Sequence, residues 1–169
     1  DKESNSFSIE YYGNGAVKRI TGVDYDVKFY YDILNKKTYV FKLIDQTEYD
    51  QTTYEFDSRS NLSKKEGNCC GFNISYEYDI DENLVEMIDA RGLVTKDDHD
   101  DKGNLLNRTD PYGNSEVYTY DTVYNKVLSA TNKLGQTTFY SYDFNNGSLK
   151  TIEDHTGSVW TYEYFSNGN

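Results

Sequence analysis

The residues of this chain that could do chemistry are its carboxylates, two histidines and two adjacent cysteines. The densest acidic cluster runs from Asp97 to Asp101 around His99, and carboxylate oxygens are the ligands that hard divalent cations prefer. Its spacing does not fit an EF-hand loop, because the fifth position of such a frame is Lys102. Strand alternation would also divide these side chains between two faces. We therefore predict a solvated edge here and no metal site.

The other reactive residues favour structural roles. Cys69 and Cys70 are adjacent and can pair only through a strained bond, so we expect two free thiols, with a redox or vicinal-disulfide role as the alternative. His155 lies in the middle of a turn and is expected to be exposed. Asp and Glu pairs suited to acid–base catalysis are plentiful, but each falls at a repeated position. The sequence therefore predicts neither enzymatic activity nor a cofactor.

A repeat of 21 or 22 residues organises these side chains. Its glycines, each three residues after Asn or Asp, are Gly71, Gly92, Gly113, Gly135 and Gly157. Tyrosines follow four of them by five and by seven residues, at Tyr76 and Tyr78, Tyr118 and Tyr120, Tyr140 and Tyr142, and Tyr162 and Tyr164. A fixed period of this length indicates one supersecondary unit copied along the chain. We therefore expect function to belong to the array.

Each unit contains a first turn with Asp or Asn at its start and glycine at its end. The clearest copies start at Asp89, Asp110, Asn132 and Asp154. The starting side chain can bond back to the backbone of the turn, Pro111 presets φ at the second position, and the glycine accepts φ > 0. This pattern predicts a type I turn closed by a glycine bulge, a common hairpin connection.

A second turn begins at the acid after each aromatic pair: Asp57, Asp79, Asp100, Asp121 and Asp143. Its glycine position is Gly103 in one copy and Ser60, Glu82, Tyr124 or Asn146 in the others. Only Asn146 among these four takes φ > 0 easily, so we expect the loops to differ. The return strand carries apolar residues three apart, such as Val127 and Ala130. This spacing requires either a β-bulge or an early turn.

These signals predict an all-β fold, an array of antiparallel β-hairpins in one long twisted or spiralling sheet. The paired tyrosines should point to one face of each strand. We predict a single array over 1–169, with degenerate repeats over 1–53, well-matched repeats over 54–165 and the start of a further repeat at 166–169. The chain is expected to be part of a longer array.

Composition restricts the partners. The net charge of −12 argues against nucleic acid and anionic membranes, and no apolar run approaches the 18 residues of a membrane-spanning helix. Tyrosine accounts for 18 residues and suits a half-wet pleated surface. Trp160 replaces an ordinary strand residue, and packing is its expected role. The alternative for Trp160 and Tyr142 is a stacking platform for a sugar ring.

The units Tyr118-Thr-Tyr120-Asp121, Tyr140-Ser-Tyr142-Asp143 and Asp110-Pro-Tyr-Gly113 resemble the RHS/YD-repeat family. The resemblance is specific over 54–165, with Asp97 and His99 in place of the two tyrosines before Asp100. It implies a spiral of β-hairpins like those of bacterial RHS proteins, wall-associated proteins, Tc toxin cages and teneurins. Bacterial members often enclose a toxic C-terminal segment. The D-P-x-G-W-type motif of self-cleaving members has no match here.

The resemblance implies a structural segment of a large secreted or cell-surface bacterial protein, building part of a β-shell around a toxin. The expected partners are neighbouring repeats of the same parent chain, toxin cargo or a surface glycan. The alternative function is a carbohydrate-binding or adhesive module that uses exposed tyrosine rows. Each repeat buries its apolar face chiefly against its neighbours, so the isolated array can also self-associate through its terminal hairpins.

Overall fold

The structure is a computed structural model that describes residues 6–45, 48–68 and 71–165. The cysteines Cys69 and Cys70, and the further repeat predicted at 166–169, lie outside the described residues. The described ranges contain no helix, and therefore none with the length and hydrophobicity to span a membrane. They form 15 strands.

The strands form one antiparallel sheet whose strand order is the chain order. This arrangement confirms the predicted all-β array of hairpins. The strands are β1 (Ser8–Tyr11), β2 (Val17–Gly22), β3 (Tyr25–Asp32), β4 (Lys37–Leu43), β5 (Tyr49–Phe56), β6 (Leu62–Gly67), β7 (Asn73–Tyr78), β8 (Leu84–Ile88), β9 (Val94–His99), β10 (Leu105–Thr109), β11 (Ser115–Tyr120), β12 (Val127–Thr131), β13 (Thr137–Tyr142), β14 (Leu149–Glu153) and β15 (Val159–Thr161).

The chain divides into two compact units. The first comprises Asp1–Tyr78 and Met87–Leu93, and the second comprises Asp79–Glu86 and Val94–Asn169. The first unit therefore contains β1–β7, and the second contains β9–β15. Among the described residues Val27 is the one buried apolar side chain, because a single sheet covers its side chains mainly with neighbours on the same face.

The first turns have the hydrogen bonds of a type I turn with a glycine bulge. Gly113 donates its amide to the carbonyl of Asp110 at 3.0 Å, and Asp110 donates its own amide to the carbonyl of Asn114 at 2.9 Å. The φ of Gly113 is +85°. The carboxylate of Asp110 also accepts the amides of Tyr112 and Asn114, both at 2.9 Å. These local bonds end each strand and start its return.

Two of the second turns correct an expectation about φ. Ser60 and Glu82 have φ of +75° and +68°, so both take the left-handed conformation of the glycine copy at Gly103. For these two copies the prediction of a different loop was wrong. Carboxylate bonds from Asp57 and Asp79 to the turn amides stabilise the turn even without glycine.

Two other second turns are one residue longer. Asp121 donates its amide to the carbonyl of Lys126, and Asp143 donates to the carbonyl of Ser148. The positive φ therefore falls on Asn125 (+55°) and Gly147 (+71°). The assignment of the positive-φ position to Asn146 was wrong by one residue, since the extra loop residue moves it along the chain.

The return strands contain the β-bulge, which decides between the two alternatives. Tyr120 pairs with Val127 and Thr119 with Ser129, so Leu128 is the extra residue of β12. The same shift leaves Lys18, Ser63, Leu106 and Lys150 as extra residues in four other ladders. The bulge places Val127 and Ala130 on the same face although they are three residues apart.

Candidate functional site

The second tyrosine of a pair bonds to the preceding repeat through its hydroxyl. Tyr120 donates to the carbonyl of Leu105 at 2.9 Å, and Tyr142 donates to the carbonyl of Val127 at 2.9 Å. Tyr78 does the same in the first unit, to Leu62 at 3.1 Å. Burial raises the pKa of all three hydroxyls above the ordinary value of 10.0. We call Tyr78, Tyr120 and Tyr142 the latch tyrosines.

The latch tyrosines alternate with the aliphatic residues that open the return strands. Tyr120 lies opposite Val127, whose carbonyl receives Tyr142, which in turn lies opposite Leu149. Tyr118 and Tyr140 lie two residues earlier in their strands and are half-buried on the same face. On the predicted tyrosine face, the hydroxyls of the latch tyrosines therefore donate to backbone carbonyls of the sheet. The sequence contains the tyrosine pattern but no signal for the backbone acceptors.

The same bond occurs in the degenerate N-terminal repeats. Tyr31 donates its hydroxyl to the carbonyl of Val17, 14 residues earlier in the chain, at 2.9 Å. Tyr12 instead donates to a carbonyl later in the chain, that of Phe29, at 2.8 Å. Phe29, Tyr31 and Asp32 are thus a further copy of the aromatic pair followed by an acid, and Tyr31 makes the bond of that pair. At the other end Tyr162 and Tyr164 are 41% and 47% exposed.

Turns of successive repeats also bond to each other. The amides of Asn104 and Asn125 exchange two side-chain hydrogen bonds of 2.7 and 3.0 Å. Tyr124 donates to the carbonyl of Phe144 at 2.9 Å, and the ammonium of Lys126 donates to the carbonyl of Gly147. These repeats are therefore held together at the sheet face and at their turns.

The acidic cluster is divided by the strand, and one of its members is buried. Asp97 is 6% exposed and accepts two bonds from the guanidinium of Arg108, at 2.8 and 2.6 Å. The bond to Asp97 raises the pKa of Arg108. The prediction of a solvated edge is correct for Asp98 and Asp101, which are exposed, but it was wrong for Asp97, which is buried. The cause is Arg108, which lies directly opposite Asp97 on the adjacent strand.

The two histidines occupy different environments. His99 stands in the position of a latch tyrosine, and its Nδ1 is buried with no hydrogen-bond partner among the described residues. His155 is exposed in a first turn, where its Nε2 lies 3.1 Å from the side-chain nitrogen of Gln136. The described residues contain no group of three or more His, Cys, Asp or Glu placed to hold a metal ion.

The first unit contains a second buried carboxylate that sequence reasoning missed. Asp26 is 7% exposed and accepts bonds of 2.8 and 2.7 Å from the guanidinium of Arg19. The hydroxyl of Tyr49 also donates to it. The Arg19 bonds, followed by the Tyr49 bond, lower the pKa of Asp26 to about 2. These residues come from β2, β3 and β5 and share no sequence motif, so no local signal could have grouped them.

The two residues considered for sugar stacking, Tyr142 and Trp160, differ in how exposed their rings are. The hydroxyl of Tyr142 is committed to Val127, and the ammonium of Lys126 lies 5.2 Å from its ring centroid. Trp160 is 51% exposed on β15, where it pairs with Ile152. Of the two, Trp160 therefore presents the more open ring face.

The remaining predicted site residues hold turns. Hydrogen bonds that the carboxylates accept in these turns lower the pKa of Asp79, Asp89, Asp100, Asp110, Asp121 and Asp154. Asn132 accepts the amides of Leu134 and Gln136 in the same way, and Asp143 accepts that of Asn145. Positive φ occurs at Gly71, Gly92, Gly103, Gly135 and Gly157. These groups position the strands.

Comparison with known proteins gives a likeness of fold. No family model matches the chain, and no curated protein matches it. The crystal structure of TcdB2-TccC3 aligns with a TM-score of 0.73 and 14% identity, over 91% of this chain and 9% of that chain. The TcdB2-TccC3-Cdc42 structure aligns with a TM-score of 0.58 and 13% identity, over 100% of this chain and 11% of that one.

A third match is the Photorhabdus luminescens Tc holotoxin pore, with a TM-score of 0.54 and 19% identity, over 100% of this chain and 9% of that chain. The chain thus spans only 9–11% of the length of these solved chains. Its fold is similar to that of a segment of the Tc toxin chains.

Proposed function

We propose that this chain is a non-catalytic structural segment of a large secreted or cell-surface bacterial RHS/YD-repeat protein, and that it builds part of a β-shell around a C-terminal toxin. The observation that carries the proposal is the alignment of 91% of the chain with a segment of TcdB2-TccC3 at a TM-score of 0.73. The RHS/YD signature over 54–165 supports the same assignment.

The contacts between repeats support a structural role. The latch tyrosines and the Asn104–Asn125 bonds join successive repeats. An array of this kind gains stability from each added neighbour, as in other repeat proteins. Neighbouring repeats of the same parent chain are therefore the proposed partners, and a toxin is the proposed cargo inside the shell.

The test uses the full polypeptide encoded by the parent gene. Electron cryomicroscopy should show a hollow particle with this segment in its wall, and trypsin should leave the C-terminal segment intact until denaturant opens the particle. A matched polypeptide that lacks one repeat, residues 115–135, should lose this protection. An open array, or immediate digestion of the C-terminal segment in the intact polypeptide, would contradict the proposal.

A second candidate, carbohydrate binding, is favoured by the open ring face of Trp160 beside the exposed Tyr162. A glycan array followed by calorimetry tests this candidate. The calorimetry compares the unmodified chain with two variants, Trp160→Ala and Tyr142→Ala. Micromolar binding that disappears in folded Trp160→Ala would support this candidate. Absence of binding to every glycan would remove it.

A further inference from the structure

A pocket of about 310 Å³ lies on β3, β4 and β5 of the first unit. Its walls are Lys28, Tyr30, Tyr39, Phe41 and Tyr49. The strand register brings these residues to one face, because Lys28 pairs with Phe41 and Tyr30 pairs with Tyr39. None of them belongs to the turn positions or to the latch tyrosines. The pocket is therefore a feature that the repeat does not explain.

Tyr49, one wall of the pocket, is held by the buried carboxylate of Asp26. Arg19 donates two hydrogen bonds to this carboxylate and Tyr49 donates a third, so the charge of Asp26 is compensated and the ring of Tyr49 is held in place. The ammonium of Lys28 lies 4.1 Å from the centroid of the Tyr49 ring. This arrangement positions a cation over the face of an aromatic ring that is itself held in place.

The charge of Lys28 is not matched by a carboxylate of its own. Within the described residues Lys28 forms no ion pair, whereas Lys37 and Lys96 are paired with Glu55 and Glu86. The interaction with the side chain of Tyr49 raises the pKa of Lys28. With Asp26 compensated by Arg19, the pocket has a local excess of one positive charge in a chain whose net charge is −12.

The walls supply apolar contact area. Tyr30 is 51% exposed, and its ring meets that of Phe41 edge to face at a centroid distance of 5.5 Å. The volume lies at the lower end of ligand sites, roughly 300–1,000 Å³, which suits a molecule with one ring. Aromatic walls and a single cation are complementary to a ligand with an aromatic ring and one negative charge.

We propose that this pocket binds a small aromatic carboxylate, whose ring packs against Tyr30 and Phe41 and whose carboxylate accepts a hydrogen bond from Lys28. The inference stands apart from the shell proposal. It uses the face of β3 opposite to Tyr31, and its test does not involve the parent particle.

The test is a titration of the 169-residue chain with N-acetyl-phenylalanine, followed by heteronuclear NMR. We expect saturable shifts confined to the amides of β3–β5, with a Kd in the millimolar range or below. N-acetyl-phenylalaninamide retains the ring but lacks the charge, and should bind about tenfold more weakly, the loss expected for one charge-assisted hydrogen bond. N-acetyl-glycine retains the charge but lacks the ring, and should give no saturable shifts.

Two variants locate the site. Lys28→Met should weaken binding about tenfold and abolish the preference for carboxylate over amide. Tyr30→Ala, at a half-exposed position, should weaken both probes. The matched controls Lys150→Met and Tyr112→Ala remove the same side-chain types in the second unit and should leave the Kd unchanged. Equal affinity for carboxylate and amide, shifts outside β3–β5, or full binding by folded Lys28→Met would overturn the proposal.

Discussion

The hydroxyl of Tyr120 donates a hydrogen bond of 2.9 Å to the carbonyl oxygen of Leu105, 15 residues earlier in the chain. The same bond joins Tyr142 to Val127 at the same separation. Because Val127 also lies opposite Tyr120, the two bonds form a continuous row across three hairpins. The repeat therefore connects side chain to backbone between copies that carry tyrosine at this position, whereas Phe56, which occupies it in an earlier copy, has no hydroxyl to donate.

Removal of one latch hydroxyl should destabilise the array. Tyr120→Phe keeps the ring but leaves the carbonyl of Leu105 without its donor, at a cost of about 0.5–1.5 kcal/mol in the free energy of unfolding. The measurement is urea denaturation followed by circular dichroism. Tyr112→Phe, at an exposed turn position, is the matched control and should be neutral. Equal stability of Tyr120→Phe and the unmodified chain would show that the bond contributes nothing.

Restoring the missing latch should stabilise the chain. His99 stands where the repeat elsewhere has a tyrosine, and its buried Nδ1 lacks a partner among the described residues. By the 15-residue offset, His99→Tyr should bond to the carbonyl of Leu84 and raise the free energy of unfolding by about 0.5–1.5 kcal/mol. His155→Tyr, in an exposed turn, is the control and should change little. A lower melting temperature for His99→Tyr would mean that the position is adapted to histidine.

At turn positions with φ > 0, introducing a glycine should stabilise the chain and removing a glycine should destabilise it. Glu82 has φ of +68°, so Glu82→Gly should relieve strain and stabilise the chain by up to about 1 kcal/mol. Gly113→Ala should cost a similar amount through its φ of +85° alone, since no atom lies within 4 Å of the added Cβ. Gly147→Ala should cost more, since the new Cβ would lie 2.9 Å from the ring of Tyr124. Thermal melts that rank Gly147→Ala as milder than Gly113→Ala would contradict this account.

The two neighbouring aspartates Asp97 and Asp98 should differ in importance. Asp97→Asn removes the charge that Arg108 contacts in a buried position, and should cost on the order of 1–3 kcal/mol. Asp98→Asn, on the exposed side of the same strand, should stay within about 0.5 kcal/mol of the unmodified chain. Urea midpoints of the two variants provide the comparison. A larger loss in Asp98→Asn would place the important carboxylate on the other face.

The fold should lose stability in acid, because its turn carboxylates are bonded in the charged form. Hydrogen bonds from Asn114, first the side-chain bond and then the backbone one, help to lower the pKa of Asp110 from 3.8 to about 2. The pKa values of Asp79 and Asp89 are lowered as well. Between the folded and unfolded pKa values the folded state binds fewer protons than the unfolded state, so acid favours unfolding.

The stability contributed by these bonds is complete above the unfolded pKa, near 4, and is lost as the pH falls through the folded value of about 2 for Asp110. Urea midpoints at about pH 2.5, 4 and 6 measure the effect across this window. Asp110→Asn, which does not titrate at this position, should make the dependence shallower, while the other turn carboxylates continue to contribute. An unchanged midpoint at the lowest pH would refute the prediction.

Local patterns in the sequence are enough to predict the turns and the fold class. The Asp-x-x-Gly pattern, as at Asp110 to Gly113, specifies a turn whose hydrogen bonds all lie within five residues, and alternation places Tyr118 and Tyr120 on one face. The period and the hairpin order follow from such short-range rules. The positive φ of Glu82 was not predicted, because the preference of a non-glycine residue for negative φ argued against it, although Asp79 accepts the same local bonds there.

Features that depend on contacts between strands emerge only from the folded sheet. One extra residue, Leu128, changes the register of β12, and this register places Val127 opposite Tyr120. Burial of Asp97 depends on Arg108 in the next strand, and the pocket around Lys28 depends on three strands meeting in register. The physical reason is that a one-residue shift reverses the face of every side chain that follows. Local turn chemistry does not specify which backbone carbonyl, or which opposite charge, lies across the sheet.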